Sequence, residues 1–315
     1  MKNDQESRIK LAEIMLAKQA YKNGKNIIKI LRDNKKFITN TSDIIEVAYD
    51  LQAGSYIEYA NKNKNKINMY ATELSNILQK HLTSKHSFLD VGTGELTNLS
   101  YLIKNLKQPP KNILAFDLSW SRVHKGLRFS EKHMGKSSLK LKTFVGDIKE
   151  IPLLNKSINI TTSNHALEPN RENLTELIGE LFRVTADKLI LFEPCYEIAT
   201  NAGKRRMDKL GYIKNITGVV EKLNGKILEK ITINNSINPL NPTACFIIEP
   251  PKSTKNSDYL NLKKDKIFSV PGTNFSVSKI DNFYFSKEAG LCYPILKSIP
   301  IFKSSCAILA SHFKN

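Results

Sequence analysis

The chain has 315 residues, 41% hydrophobic and 25% charged, a globular rather than disordered balance, and its length suits one large α/β domain with an appendage or two ordinary domains. No run of about 18 apolar residues occurs, which excludes a membrane-spanning helix, and the start Met1-Lys2-Asn3-Asp4-Gln5-Glu6 lacks the apolar stretch of a secretory signal. The formal net charge of +18 comes from 40 lysines and 8 arginines; the lysines are scattered, and with abundant asparagine and isoleucine they read as A/T-rich codon usage and a solvated surface rather than a nucleic-acid stripe.

Residues 6–32 predict a helix, with Ile9, Ala12, Leu16, Ala20, Ile27 and Leu31 at roughly helical spacing. Thr41-Ser42-Asp43 offers caps for a second helix over 43–60, and Met69, Leu74, Ile77 and Leu78 mark a third over 68–81. From residue 86 short apolar runs alternate with helical segments. The predicted strands are Ser87–Val91, Asn112–Phe116, Leu139–Val145, Ser157–Thr162 and Lys188–Phe192, the signature of βαβ units and a parallel sheet. Ile227–Ile233 and Ala244–Ile248 have no helix between them and predict an antiparallel pair at the sheet edge. Residues 252–264 read as a polar, lysine-rich linker. Residues 265–315 read as a small β-rich appendage. The implied organisation is an N-terminal helical lid region over 1–82, an α/β domain over 83–251 and the appendage over 265–315. Cys195, Cys245, Cys292 and Cys306 contain no C-x-x-C pair, so no zinc ribbon or other metal site is expected, and reduced thiols in a cytoplasmic setting are.

The sharpest chemical signal is Phe88-Leu89-Asp90-Val91-Gly92-Thr93-Gly94-Glu95-Leu96. An apolar strand ends in an acid, then Gly-x-Gly, then an amphipathic helix. Glycines there let the backbone turn tightly against a ligand, and the helix start offers free N–H donors. The third glycine of a dinucleotide fingerprint is missing, because Leu96 stands there. A second strand ends in Asp117, 27 residues after Asp90, where an acid can accept from both ribose hydroxyls of a nucleoside. A third strand ends in Gly146-Asp147, placed to accept from an adenine amino group. Three successive strands thus deliver carboxylates to the sheet edge where open α/β folds bind ligands.

In the order and spacing of these motifs, residues 86–195 resemble the class I S-adenosylmethionine-dependent methyltransferases, the type 11-like group among them. The likeness continues through Ser163-Asn164-His165-Ala166-Leu167-Glu168 after the fourth strand, Glu180–Val184 in the following helix, and Leu189–Pro194 in strand five. It implies a Rossmann-like α/β fold with a seven-stranded, mostly parallel sheet whose last strand is antiparallel. It implies S-adenosylmethionine as cofactor, held by Asp90, Gly92, Thr93 and Gly94 in the loop, Asp117 and Leu118 at the ribose, Asp147 and Ile148 at the adenine, and Asn164. An N-terminal aromatic, Tyr49 or Tyr56, would lie at the cofactor's carboxylate end. Tyr49 and Tyr56 also stand at i and i+7, which ordinary helical packing explains equally well.

His165 and Glu168 lie where substrate and methyl meet in this family and are the candidate catalytic residues; His165 serves either as a base or as a loop histidine that shapes the substrate site. Glu193 to Glu197, ending strand five, are placed to contact substrate. The predicted activity is methyl transfer to a small-molecule or glycan acceptor. An RNA methyltransferase is the alternative, disfavoured because no Asn/Asp-Pro-Pro-aromatic stretch follows strand four; a cofactor-binding module acting through a partner is a third reading. Gly290–Ile295 and Ile299–Phe302 resemble the end of a small zinc-ribbon-like methyltransferase activator. Without cysteine pairs, that likeness implies a fused, metal-free form. Nothing in the pattern sets the oligomeric state.

Overall fold

The computed structural model describes residues 10–37, 40–252 and 266–313. Five helices come first: α1 Leu11–Lys22, α2 Ile27–Lys35, α3 Ser42–Leu51, α4 Ser55–Lys62 and α5 Lys64–Leu78. The helices predicted over 6–32 and 43–60 are each broken in two. The first stops at Asn23-Gly24, and α2 restarts where the Asn26 side chain caps the Lys29 N–H. The second breaks at Gln52–Gly54, where Gly54 takes φ +109°, a conformation open to glycine and costly for other residues. The apolar spacing runs through the first break because α1, α2 and α3 share one core of Ala17, Ala20, Ile27, Leu31, Ile44 and Ala48. Residues 6–9 of the first predicted helix, and all but Lys252 of the predicted linker, lie outside the described residues.

The central strands are β1 Ser87–Val91, β2 Asn112–Asp117, β3 Leu141–Gly146, β4 Ile158–Asn164, β5 Thr185–Pro194, β6 Lys226–Thr232 and β7 Thr243–Glu249. Helices α6 Thr97–Asn105, α7 Trp120–Met134 and α8 Leu174–Val184 connect them, with α9 Asn201–Leu210 and α10 Ile216–Lys222 between β5 and β6. Strand β3 begins two residues later than predicted, because Gly135–Lys140 form a 3₁₀ turn. The strand order is β6-β7-β5-β4-β1-β2-β3. Strand β7 alone runs against the others, and β6 pairs antiparallel with it at the edge.

Alternation along each strand builds a core on both faces. Leu89, Val91, Leu114 and Phe116 pack with α8 and α10 residues such as Leu177, Leu181 and Val220. Phe88, Ile113, Ala115 and Ile160 pack on the other face with Leu74, Leu78, Leu99 and Ile103 of α5 and α6. Among the described residues, no helix is long and apolar enough to cross a membrane.

The C-terminal strands continue this sheet. They are β8 Ser278–Ile280, β9 Phe283–Ser286, β10 Leu291–Leu296, β11 Ile299–Phe302 and β12 Ile308–Leu309. Strand β11 pairs parallel to β3, with Ile301 opposite Val145 and Phe302 opposite Gly146. Strands β10, β9 and β8 follow in order, and β12 pairs with β10. The edge that β3 would otherwise expose is therefore covered. These strands form no separate zinc-ribbon-like domain among the described residues. Among the described residues no group of three or more His, Cys, Asp or Glu side chains is arranged to hold a metal ion.

Phe302 is the buried hinge of this union. It is fully buried, with ring centroids 4.9 Å from Phe268, 4.9 Å from Tyr284, 5.6 Å from Tyr293 and 6.1 Å from Phe144 of β3. Lys303 then pairs with Glu46 of α3 at 2.6 Å, and Ser304 donates to Glu150. The tail and the sheet are expected to unfold together. Phe302→Ala should destabilise the whole chain by about 3–5 kcal/mol, within one urea transition followed by Trp120 fluorescence. An early, separate melting of the tail with the main transition unmoved would contradict this.

Candidate functional site

The C-terminal ends of β1, β2, β3 and β4 open into one cavity of about 370 Å³, within the range of small-ligand pockets. Its walls include Tyr56, Gly92, Thr93, Gly94, Asp117 and Leu118. Asp147, Ile148, Asn164, His165 and Glu168 complete the predicted residues that meet there. Asp90 does not line it. It sits under the loop, 8% exposed, and accepts a 3.0 Å hydrogen bond from the Thr162 hydroxyl. Burial raises its pKa from 3.8 to about 6, with the Thr93 and Thr162 bonds opposing.

Asp117 organises the loop side of the cavity. One carboxylate oxygen accepts the Gly94 N–H at 2.9 Å and the other accepts the Ser119 N–H at 2.9 Å. The glycine loop is thereby tied to the first turn of α7, and the Thr93 N–H donates to the Phe116 carbonyl beside it. Burial pushes the Asp117 pKa up, while Arg122 and the two N–H donors pull it back.

The loop makes up for its missing glycine. Leu96 itself takes the left-handed conformation, φ +57°, and is completely buried. The close approach comes from Gly126 of α7 instead. A Cβ there would lie 2.6 Å from the Glu95 carbonyl carbon, so α7 reaches the loop only because residue 126 has no side chain.

Glu95 and Arg122 are residues that the sequence reading missed. Glu95 is 1% exposed, and its two oxygens accept the Gly54 and Ile57 N–H groups at 2.9 Å each. The loop thus holds the start of α4 through a buried carboxylate. Asp50 of α3 accepts from Ser119 Oγ at 2.7 Å and from the Ser121 N–H at 3.2 Å. Arg122 lies 3.7 Å from Glu95, with its guanidinium 4.7 Å from the Tyr49 ring and 4.4 Å from the Tyr56 ring. The predicted N-terminal aromatics therefore cover the cavity together, from two different helices.

The opposite side of the cavity is a hydrogen-bonded wall. Tyr70 of α5 donates to Asn164 Oδ1 at 3.0 Å. His165 Nδ1 lies 3.0 Å from Glu168, and Nε2 lies 2.8 Å from the Thr243 hydroxyl. Asn241 donates to the same Glu168 oxygen at 3.0 Å. Burial pushes the His165 pKa down, but the Glu168 bond and the charges of Glu168 and Glu193 push harder, so it stands above 6.5. Burial also raises the pKa of the neighbouring Tyr212.

Glu193 differs from its predicted place among substrate contacts. It is fully buried behind the wall and does not line the cavity. One of its oxygens accepts from Ser163 Oγ at 2.8 Å, the Ala166 N–H at 3.0 Å and the Leu167 N–H at 3.2 Å. These bonds hold the turn in which His165 takes φ +56°, a conformation uncommon outside glycine. A strand-end acid looks alike in sequence whether it faces the ligand or the turn behind it. Only the path of residues 163–167 separates the two.

No protein-family model matches the chain, and no curated protein does. Solved structures do. Magnesium protoporphyrin IX methyltransferase from Synechocystis PCC 6803, with bound S-adenosylhomocysteine, is similar with a TM-score of 0.51 at 10% identity, over 67% of this chain and 99% of that one. Geranyl diphosphate C-methyltransferase from Streptomyces coelicolor A3(2) gives 0.44 at 9% identity, over 56% and 80%. A S-adenosylmethionine-dependent methyltransferase from Aquifex aeolicus gives 0.43 at 15% identity, over 56% and 88%. The first of these, with the strand order, shows that the chain has the class I methyltransferase fold.

Burial raises the Glu193 pKa from 4.5 to about 7, and His165 and the Ser163 and Leu167 bonds oppose it only in part. A carboxyl group raised on folding stabilises the protein fully below pH 4.5, and that contribution is lost as the pH rises through about 7. Glu193→Gln keeps an oxygen for the three donors and removes the titration. The wild-type unfolding free energy should fall across this window while that of the variant stays flatter. Parallel profiles would contradict the assignment.

Proposed function

We propose that the chain binds S-adenosylmethionine and transfers its methyl group to a small-molecule acceptor, a sugar hydroxyl included. The observation that carries this reading is one cavity joining the glycine loop, Asp117 and Asp147 to the Tyr70–Asn164–His165–Glu168 wall. The residues fit the cofactor. Each Asp117 oxygen uses one lone pair on the backbone and keeps another for a ribose hydroxyl. Asp147 and half-buried Ile148 stand at the adenine end. Asn164 Nδ2, on a residue of the cavity wall, is buried and without a partner, a group that a polar ligand would satisfy.

S-adenosylmethionine supplies an electrophilic methyl group on a positively charged sulfur. The chain's own part is to bind, orient and handle one proton. In this reading Gly92, Thr93 and Gly94 bring the backbone against the ligand, and Asp90 acts through the loop it underpins. Leu118 packs at the ribose, and Tyr49 and Tyr56 close the cavity from above. Alignment of the acceptor against the methyl accounts for most of the rate in such transfers.

A hydroxyl acceptor must also lose its proton. His165 is the base in this reading, because it lines the cavity and Glu168 stabilises its charged form; with Nδ1 held by Glu168, Nε2 takes the proton, the acceptor hydroxyl displacing that of Thr243. The same pairing means that His165 must first be neutral.

Incubation with methyl-labelled S-adenosylmethionine and a small-metabolite extract tests the reading by transfer of label to a low-molecular-weight product. Label appearing only in RNA, or cofactor binding without transfer, would overturn it. With a hydroxyl acceptor, kcat/KM should rise with pH through a midpoint above 6.5, and Glu168→Gln should lower that midpoint. His165→Ala should reduce kcat by about 10²–10⁴-fold with S-adenosylhomocysteine affinity unchanged. An unaltered kcat would remove His165 as the base.

A further inference from the structure

Three cationic or potentially cationic side chains line the cavity: Arg122, His165 and Arg206. Two have a carboxylate beside them, although Arg122 Nε and Nη2 are themselves buried without hydrogen-bond partners. Arg122 faces Asp117 and Glu95, and tyrosine rings lie against it. His165 is paired with Glu168. Arg206, on α9, makes no ion pair among the described residues, and its Nη1 is buried without a hydrogen-bond partner.

The neighbouring acids already have partners. Asp208, on the same helix, pairs with Arg171 at 3.2 Å and with Lys214, and it accepts from the Tyr196 hydroxyl at 3.0 Å. Glu168, on the cavity wall, is bonded to His165 and Asn241, and the Tyr212 hydroxyl stands between it and Arg206, bonded to both. The Tyr212 ring, 5.5 Å from the guanidinium carbon, backs Arg206 and itself lines the cavity. A half-buried guanidinium with no direct ion pair and an unpartnered N–H beside a cavity is unfavourable unless a ligand supplies the acceptor.

A second unpartnered atom lies on the same wall. Asn241 Oδ1 is buried and accepts nothing, while the Asn241 amide nitrogen lies 3.4 Å from His165 Nδ1. It offers an acceptor for an O–H or N–H group close to the proposed base.

We propose that the methyl acceptor is a small oxyanion, a carboxylate or phosphate ester bound by Arg206, whose separate O–H or N–H group is presented beside Asn241 and His165. The guanidinium fork suits either oxyanion. This deepens the methyltransferase reading and rests on it.

The test uses the full chain saturated with S-adenosylhomocysteine, titrated calorimetrically with 4-hydroxybenzoate, 4-hydroxyphenyl phosphate and the neutral 4-hydroxybenzamide. The two anions should bind, and the amide should bind at least about tenfold more weakly. Of the two anions, the tighter identifies the oxyanion. Arg206→Gln should weaken the anions by about 10- to 150-fold without changing S-adenosylhomocysteine affinity. Arg206→Lys, which keeps the charge, should fall between and guards against loss of folding in the first variant. Equal binding of amide and carboxylate, failure of both anions to bind, or undiminished anion binding in both variants would overturn the proposal. If S-adenosylhomocysteine itself does not bind, the methyltransferase reading fails separately, and the same titrations of the ligand-free chain still decide whether Arg206 receives an oxyanion.

Discussion

The buried carboxylate of Asp117 holds two backbone segments that would otherwise be independent. Its bonds to the Gly94 and Ser119 N–H groups fix the glycine loop against the start of α7. Charge-assisted bonds of this kind are about twice as strong as neutral ones, and here they act in a site shielded from water. The N-terminal helices depend on that junction. Glu95, next to the loop glycines, carries the start of α4, and Ser119, next to Asp117, carries Asp50 of α3. Loop, α3, α4 and α7 therefore form one polar network, into which Arg122 brings the balancing charge.

The sheet supports this network from the far side as well. Strand β11 lengthens it at β3, so the segment leading to Asp147 lies inside the sheet rather than at its edge. Beyond β11, Lys303 reaches Glu46 of α3 and Ser304 reaches Glu150 near Asp147. The C-terminal segment thus touches two walls of the cavity without lining it.

Much of the fold was legible in the residues. Strands β1, β2, β4 and β5 stand out because each is a short apolar run ending in a polar residue or turn. Two of the three strand-end acids, Asp117 and Asp147, and the Gly-x-Gly loop mark one side of the cavity in the sequence, whereas Asp90 lies beneath the loop. What was not legible depends on distant partners. Helix breaks at Gly24 and Gly54 leave the apolar spacing intact, so spacing alone joins the halves. Glu95 looks like an ordinary first-turn acid until α4, some 40 residues earlier in the chain, docks on it. Arg122 and Arg206 look alike in sequence, two arginines on amphipathic helices. Packing gives Arg122 its carboxylates and leaves Arg206 without one. Likewise, the β-rich tail could be read as strands, but its parallel pairing with β3 is a long-range choice that no local pattern encodes.

The central claim is that this sheet edge is a nucleoside site organised by Asp117. Calorimetric titration with S-adenosylhomocysteine, of the wild type and of Asp117→Ala, tests it most directly. Saturable one-to-one binding, weakened about 10- to 150-fold in a folded variant, is the predicted result. A folded wild type that binds nothing, or a variant that binds as tightly as the wild type, would contradict it.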